Sequence, residues 1–163
     1  MGQHDSDTLI EIFRLILLEV NALAQLLQDE NAALKERQVD QIHAVAEAKL
    51  ASVNRLENLT KRQGEFLSAN KFTADESGLD HYFLQFKQND PNLTRLNKYR
   101  TLIADRLKSC GTANEQNGAN VEVMGRYTIR ALDTLRNREN QAVSYGPDGT
   151  PQNTTNSRSR ISV

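Results

Sequence analysis

The sequence contains one cysteine, three prolines and no tryptophan in 163 residues. Because Cys110 has no second cysteine to pair with, an internal disulfide and a cysteine-built zinc site are excluded, and we expect a reducing compartment such as the cytoplasm. An excess of one charge is also missing, since 20 basic and 21 acidic residues leave a formal net charge of −1. The charge balance therefore predicts no nucleic-acid partner and no attraction to anionic lipid.

The sequence also lacks a long uninterrupted hydrophobic run. The most apolar stretch, residues 9–20, contains Glu11, Arg14 and Glu19 and is shorter than the roughly 20 residues of a membrane-spanning helix. The first residues resemble no signal peptide, because a basic start and a cleavable apolar core are missing. We therefore expect a cytoplasmic chain without stable membrane insertion.

Apolar residues recur every three to four positions in the first part of the chain: Leu9, Phe13, Ile16, Val20, Leu23, Leu27 and Leu34. This spacing predicts a long helix that needs partner helices to cover its apolar face. Asp7 or Thr8 is expected to cap its start, with Glu11 closing a capping box from Thr8, and the helix should end near Lys35.

The rest of the chain predicts three more helices. A second long helix should extend from about Asp40 to Asn70, and a short helix should follow a capping box from Thr73 to Glu76. Asp90-Pro91 predicts the start of a third long helix that ends near Arg138, because aspartate caps helices well and proline is favoured at the first helical position.

The predicted fold is therefore all-α: an elongated antiparallel helical bundle, or coiled-coil-like hairpin, of three long helices plus a short one. After Asn140 the composition changes to Gly, Pro, Ser, Thr and Asn, with too few apolar residues to offset the entropy lost on ordering. We expect a helical domain over residues 1–140 and a flexible, disordered C-terminal tail over residues 141–163.

The third long helix is predicted to be longer than its partners. At ~1.5 Å per residue it would extend ~70 Å, against ~40–45 Å for either earlier helix, so its end beyond about Asn117 should lack an intramolecular partner. Its apolar positions there predict a surface for another protein's helix: Val121, Met124, Ala131, Leu132 and Leu135. Dimerisation through the same positions is the competing interpretation.

Glycines and amides interrupt the same helix. Gly111, Gly118 and Gly125 fall seven residues apart, which indicates either a locally soft helix or close approach of another helix. Asn114 and Asn117 occupy positions where apolar residues otherwise recur. These two asparagines could share a polar layer with residues of the first two helices, namely Glu30, Asn31, Lys49 and Ser52. Such a layer favours fixing of helix register over ligand binding.

Residues for metal or nucleophilic chemistry are few. His43 and Glu47 lie one helical turn apart, a pair that indicates a surface contact more than a metal site. Cys110 occupies a predicted core position, where a free cysteine usually acts as a small apolar group. The sequence therefore favours a binding protein over an enzyme, with no metal and no cofactor.

Four features together resemble the FlgN family of flagellar export chaperones. They are the first-helix segment 26–34, the second-helix segment 39–42 followed by Lys49, the asparagine-rich segment 114–118, and the tail from Tyr145 to Val163. The tail contains Tyr-Gly-Pro-Asp-Gly and ends in Arg-Ile-Ser-Val. The segment 151–156 departs from other tails of the family.

The resemblance implies a non-enzymatic, all-helical chaperone of bacterial flagellum biogenesis and type III secretion. Its clients would be the hook–filament junction (hook-associated) proteins, whose C-terminal helical segments it would bind and deliver to the export machinery. Tyr145 matches the tail tyrosine expected to dock on the export gate, and components of the export ATPase would be further partners. A structural coiled-coil adaptor that dimerises through its C-terminal helix is the alternative.

Overall fold

The computed structural model describes residues 3–86, 90–140, 144–145 and 151–152. Its elements are the helices α1 (Gln3–Glu36), α2 (Val39–Ala69), α3 (Glu76–Phe83) and α4 (Pro91–Asn140), and the strands β1 (Ser144–Tyr145) and β2 (Pro151–Gln152). The chain forms two compact units, Met1–Asn120 and Val121–Val163, which are described separately below. The predicted all-α class with three long helices and one short helix is confirmed.

Helix α1 begins earlier than the sequence predicted. Its first residue is Gln3, so Thr8 lies inside the helix and cannot be its N-cap. Glu11 does not close a capping box and instead forms an ion pair with Arg14, at 2.6 Å between Oε1 and Nη2. The predicted cap at Asp7 or Thr8 is therefore wrong, because the helix extends N-terminal to both residues.

The C-terminal ends of α1 and α2 have the same type of backbone conformation. Arg37 and Lys71 adopt positive φ angles of 56° and 67°, which places one residue in the left-handed region within two residues of the end of each helix. The following residue then donates its N–H to a carbonyl of the last turn: Gln38 to Ala33 at 3.0 Å, and Phe72 to Leu67 at 2.9 Å. These bonds satisfy carbonyls that a helix end leaves unpaired and turn the chain sharply.

The starts of α3 and α4 are capped by aspartates. Asp75, not Thr73, caps α3: its carboxylate accepts from the Gly78 N–H at 2.8 Å, while Thr73 donates its hydroxyl to the same carboxylate at 2.6 Å. The predicted cap at Thr73 is therefore displaced by two residues. The predicted cap of α4 is confirmed, since the Asp90 carboxylate accepts from the Asn92 N–H at 2.8 Å.

The core of the first unit has two clusters centred on α1. One cluster collects α3 and the starts of α1 and α4, and its buried members include Leu9, Phe13, Leu79, Tyr82 and Leu96. Tyr82 packs edge-on against three phenylalanines, with ring centroids 5.4–5.6 Å apart. The other cluster joins Val20 and Leu27 of α1 to Cys110 of α4, with Leu56 and Leu59 of α2 packed against it.

Helices α1 and α4 run parallel in the first unit. Three contacts along them have nearly the same sequence separation: Asn92 to Ser6 (86 residues), Cys110 to Val20 (90) and Asn117 to Leu27 (90). A constant separation requires the two helices to run in the same direction with one register. Helix α2 returns antiparallel to both, because Glu19 bonds to Arg55 whereas Glu30 bonds to Lys49.

The second unit contains the last part of α4 and a short antiparallel pair. Strand β1 pairs with β2 in the register Ser144 with Gln152 and Tyr145 with Pro151. The other tail residues, 141–143, 146–150 and 153–163, lie outside the described part of the chain. The division into a helical domain over residues 1–140 and a flexible tail over residues 141–163 therefore stays a prediction.

Candidate protein-binding surface

Five apolar side chains predicted to bind a partner lie in the last part of α4. We call them the apolar row: Val121, Met124, Ala131, Leu132 and Leu135. Val121 is 49% exposed, Leu132 48% and Leu135 58%, whereas Met124 is half-buried. Large aliphatic side chains at this exposure leave apolar surface in contact with water, and a partner helix would bury that surface. Their role in binding stays a prediction.

Helical geometry places the apolar row on one face. At about 100° per residue the five positions fall within roughly a third of the helix circumference. Arg126, Arg130 and Asp133 lie on the opposite side of the same helix, and Arg126 pairs with Glu122 at 3.7 Å. Ile129 is 61% exposed and lies beyond one edge of the row. Val123 and Tyr127 are also exposed and lie outside the row. This segment is thus a helix with exposed apolar side chains, most of which fall on the face of the apolar row.

The three glycines spaced by seven residues make no close contact. A Cβ added at Gly111, Gly118 or Gly125 would meet no atom within 4 Å in the described chain. Close backbone approach therefore does not explain them inside this chain. Approach by a partner helix stays a prediction for this face.

The predicted polar layer is present and joins α1, α2 and α4. Asn117 is 2% exposed, and its amide nitrogen donates to the Leu27 carbonyl and to Glu30 Oε2, each at 2.8 Å. Its amide oxygen accepts from Asn31 Nδ2 at 2.8 Å. Lys49 Nζ lies 2.9 Å from both oxygens of Glu30 and 3.2 Å from Asn114 Oδ1.

The layer fixes the relative position of the three helices. Buried amides and charges cost free energy unless they are hydrogen-bonded, and sliding α4 by one turn would break at once every bond that Asn114 and Asn117 make in the layer. The bonds of the layer cross between α1, α2 and α4, which supports the predicted role in register. Its members are Glu30, Asn31, Lys49, Asn114 and Asn117.

The prediction that Ser52 joins this layer is wrong, since Ser52 belongs to a second polar contact that the sequence did not predict. It is fully buried and donates its hydroxyl to Glu19 Oε1 at 2.7 Å. Arg55 holds both oxygens of the same carboxylate, at 2.8 and 3.0 Å. The hydrogen bond from Arg55, followed by that from Ser52, lowers the pKa of Glu19 against the opposing effect of burial. The sequence does contain a signal for this contact. Ser52 and Arg55 lie three residues apart on α2, and Glu19 is a carboxylate within an otherwise apolar stretch of α1.

The residues considered for chemistry lie apart. Cys110 is 5% exposed in the core, and burial raises the pKa of its thiol. His43 and Glu47 are both exposed on α2. Among the described residues no group of three or more His, Cys, Asp and Glu side chains could hold a metal ion. Within the same residues no helix is both long and apolar enough to cross a membrane.

Tyr145 lies in strand β1, where its backbone is paired opposite Pro151. Its side chain is outside the part of the chain that the structure describes. The predicted docking of Tyr145 on an export gate therefore stays a prediction.

The described residues define the class of this protein as all-α, with three long helices, one short helix and exposed apolar side chains in the last part of α4. A family model described as FlgN protein matches residues 1–153. The chain belongs to the FlgN family.

A solved structure has a similar fold. It is the crystal structure of a protein from Pseudomonas aeruginosa named as a flagella synthesis protein FlgN, with 25% sequence identity and a TM-score of 0.63. The similarity covers 74% of this chain and 90% of that one. A comparison with curated proteins found no match.

Proposed function

We propose that this chain is an export chaperone of flagellum biogenesis. It binds C-terminal helical segments of hook–filament junction proteins, prevents their premature assembly and delivers them to the type III export gate. The observation that carries the proposal is the exposed apolar row on an amphipathic helix, in a chain of the FlgN family. The named neighbour supports a role in flagellar synthesis.

The chemistry of the apolar row suits a client helix. Complete burial of an aliphatic side chain contributes about 1.5–3 kcal/mol, and the row's larger members begin about half exposed. A client helix that covered Val121, Leu132 and Leu135 would therefore gain several kcal/mol before the entropy cost of association. Met124 suits a surface that accepts more than one client sequence, because its side chain is flexible and polarisable.

The proposed cycle needs no bond-making step. Covering a client's apolar helix blocks its self-association, and release follows when another partner competes for the chain. In this proposal Tyr145 contacts the export gate, and components of the export ATPase are further partners. The chain acts in the cytoplasm as a binding protein, without nucleotide, metal or other cofactor.

The alternative is a structural adaptor that dimerises through the apolar row. Helices with exposed apolar faces commonly associate with their own copies, so the same exposure favours this function as well. The two functions differ in what covers the row. In the adaptor it is a second copy in the free protein, and in the chaperone it is a client.

Co-expression with the junction proteins of the same organism tests the proposal. The full chain and a version ending at Arg126 are each co-purified with one junction protein at a time. We expect the full chain to retain a client, and the shorter chain to lose it while its circular dichroism stays helical. Failure of the full chain to retain any junction protein, together with a stable dimer, would establish the adaptor instead.

A further inference from the structure

A cleft of about 370 Å³ opens between α2 and α4, at the α3 end of the first unit. We call it the α2/α4 cleft. Phe13 and Ile16 of α1 contribute to its lining, and Gly64 and Ala104 line its walls on α2 and α4. Leu107 is 44% exposed on the α4 wall. The cleft therefore combines buried aromatic and aliphatic lining residues with an apolar side chain in contact with water.

The cleft is limited in length by contacts between elements. Lys49 on α2 reaches Asn114 on α4 at 3.2 Å, which joins the two helices beyond one end. At the other end the cleft meets Asp75 and Glu76 at the start of α3. The α4 lining of the cleft extends from Arg100 to Leu107, a rise of ~10 Å, which is the length of about two turns of a helix.

The rim at the α3 end carries more acid than base. Arg100 is shared by two carboxylates, with Nη1 at 2.5 Å from Asp80 and Nη2 at 2.7 Å from Glu76. Asp75 adds a third carboxylate, which hydrogen bonds from Thr73 and the Gly78 N–H hold in place. The two carboxylates paired with Arg100, together with that of Asp75 on the same cleft lining, outnumber the one guanidinium and leave a surplus of negative charge. Glu76 is the most exposed of the paired ones, with 81% of its side chain accessible.

We propose that the α2/α4 cleft binds a short, basic amphipathic helix of a partner protein. Aliphatic side chains of that helix would contact Ile103 and Leu107, and a lysine or arginine at its end would approach Glu76. The small residue Ala104 lets the partner's backbone approach the α4 wall. This surface is separate in sequence from the apolar row, so binding here neither requires nor excludes a client on that row.

Two designed 14-residue helical peptides test the proposal on the full chain. Both carry leucines at i, i+3, i+4 and i+7, and the flanking positions are lysine in one and glutamate in the other. Fluorescence anisotropy measures their dissociation constants at low salt, where charge contacts are least screened. We expect the lysine peptide to bind at least about fivefold more tightly, because its charge complements the acidic rim. Equal affinities, or no binding of the lysine peptide at about 1 mM, would overturn the proposal.

Two matched pairs of variants locate the peptide. Leu107→Gln removes an apolar cleft residue, and Leu102→Gln is its control, since Leu102 is 42% exposed on the same helix and does not line the cleft. Glu76→Gln removes the rim charge, and Glu57→Gln is the control. We expect each cleft variant to weaken the lysine peptide by about 5- to 10-fold and each control by less than twofold.

A different pattern of losses would contradict the assignment. If Leu135→Asp abolishes peptide binding and Leu107→Gln does not, the peptide occupies the apolar row and the cleft proposal fails. Circular dichroism of each variant shows that its helices are intact. The co-purification of junction proteins is unaffected by this result, so the cleft and the chaperone proposal stand or fall separately.

Discussion

Asn117 of α4 and Glu30 of α1, 87 residues apart, are joined by a hydrogen bond of 2.8 Å between Nδ2 and Oε2. Both are buried, at 2% and 7% exposure, and Lys49 of α2 neutralises the same carboxylate. This polar contact thus links three helices whose relative positions along the bundle are not set by interactions within any one helix. Val121, the first residue of the apolar row, follows Asn117 by about one helical turn.

Replacing Asn117 by alanine should destabilise the protein by about 1–3 kcal/mol, because buried groups of Glu30 and Leu27 lose a donor. Asn120→Ala is the matched control: Asn120 is exposed on the same helix, so its variant gains the same helix propensity and loses no buried bond. Denaturant unfolding followed by circular dichroism measures both. Equal changes in the two variants would show that the polar layer contributes nothing.

Two alanine substitutions, at Gly78 and at Gly118, distinguish a glycine required by close packing from one that only weakens its helix. Gly78→Ala should destabilise the protein by about 1–3 kcal/mol or more, because the new Cβ would lie 1.9 Å from the Thr73 carbonyl oxygen. Gly118→Ala should stabilise it by up to about 1 kcal/mol, since its Cβ meets no atom within 4 Å. Thermal unfolding distinguishes these opposite signs. A neutral Gly78→Ala would contradict the described turn before α3.

Glu19 should make stability depend on acid. The hydrogen bond from Arg55 is the main reason that the pKa of the Glu19 carboxyl is held below its ordinary value. Because the folded-state pKa is lowered, the contribution is complete above the unfolded pKa and is lost as pH falls through the folded one. The stability advantage of the native chain over Glu19→Gln should therefore shrink below about pH 4.5. An advantage that is the same at pH 7 and at pH 3 would contradict the contact.

Cys110 should react slowly with thiol reagents in the native protein. Burial raises the pKa of its thiol and removes it from solvent, with Sγ 3.9 Å from the Val20 carbonyl oxygen. We expect labelling at least about 100-fold slower in buffer than in denaturant, because the thiolate must form in an opened state. Equal rates would show that α4 does not stay packed on α1.

The sequence predicted the elements whose causes are local. Asp90 and Pro91 mark the start of α4 because capping and fixed φ act within a few residues. The heptad spacing of α1 predicted its buried face, and two asparagines at heptad positions predicted the polar layer of α4. In each case the interactions that determine the feature arise within one helix or from the burial of its apolar face against a neighbouring helix.

The sequence did not predict contacts chosen by distant partners. In the sequence Glu19 only interrupts an apolar stretch. Its partners, Ser52 and Arg55, lie 33 and 36 residues further along the chain and contact it only in the folded protein. The observed cap of α3 is Asp75 and not the predicted Thr73. Both residues fit a capping pattern, and the conformation of the folded turn determines which one caps the helix. The α2/α4 cleft was missed for the same reason, since its walls come from different helices.

Client capture by a pair of surface variants tests the central claim most directly. Leu135→Asp places a charge in the apolar row, and Ile129→Asp places one at similar exposure, 61% against 58%, beyond its edge. With the junction protein that the native chain captures, we predict at least about 10-fold weaker binding for Leu135→Asp and less than threefold for Ile129→Asp, with unfolding free energies equal within about 0.5 kcal/mol. Native-like binding by Leu135→Asp, or equal losses in both variants, would contradict the assignment of the apolar row as the client site.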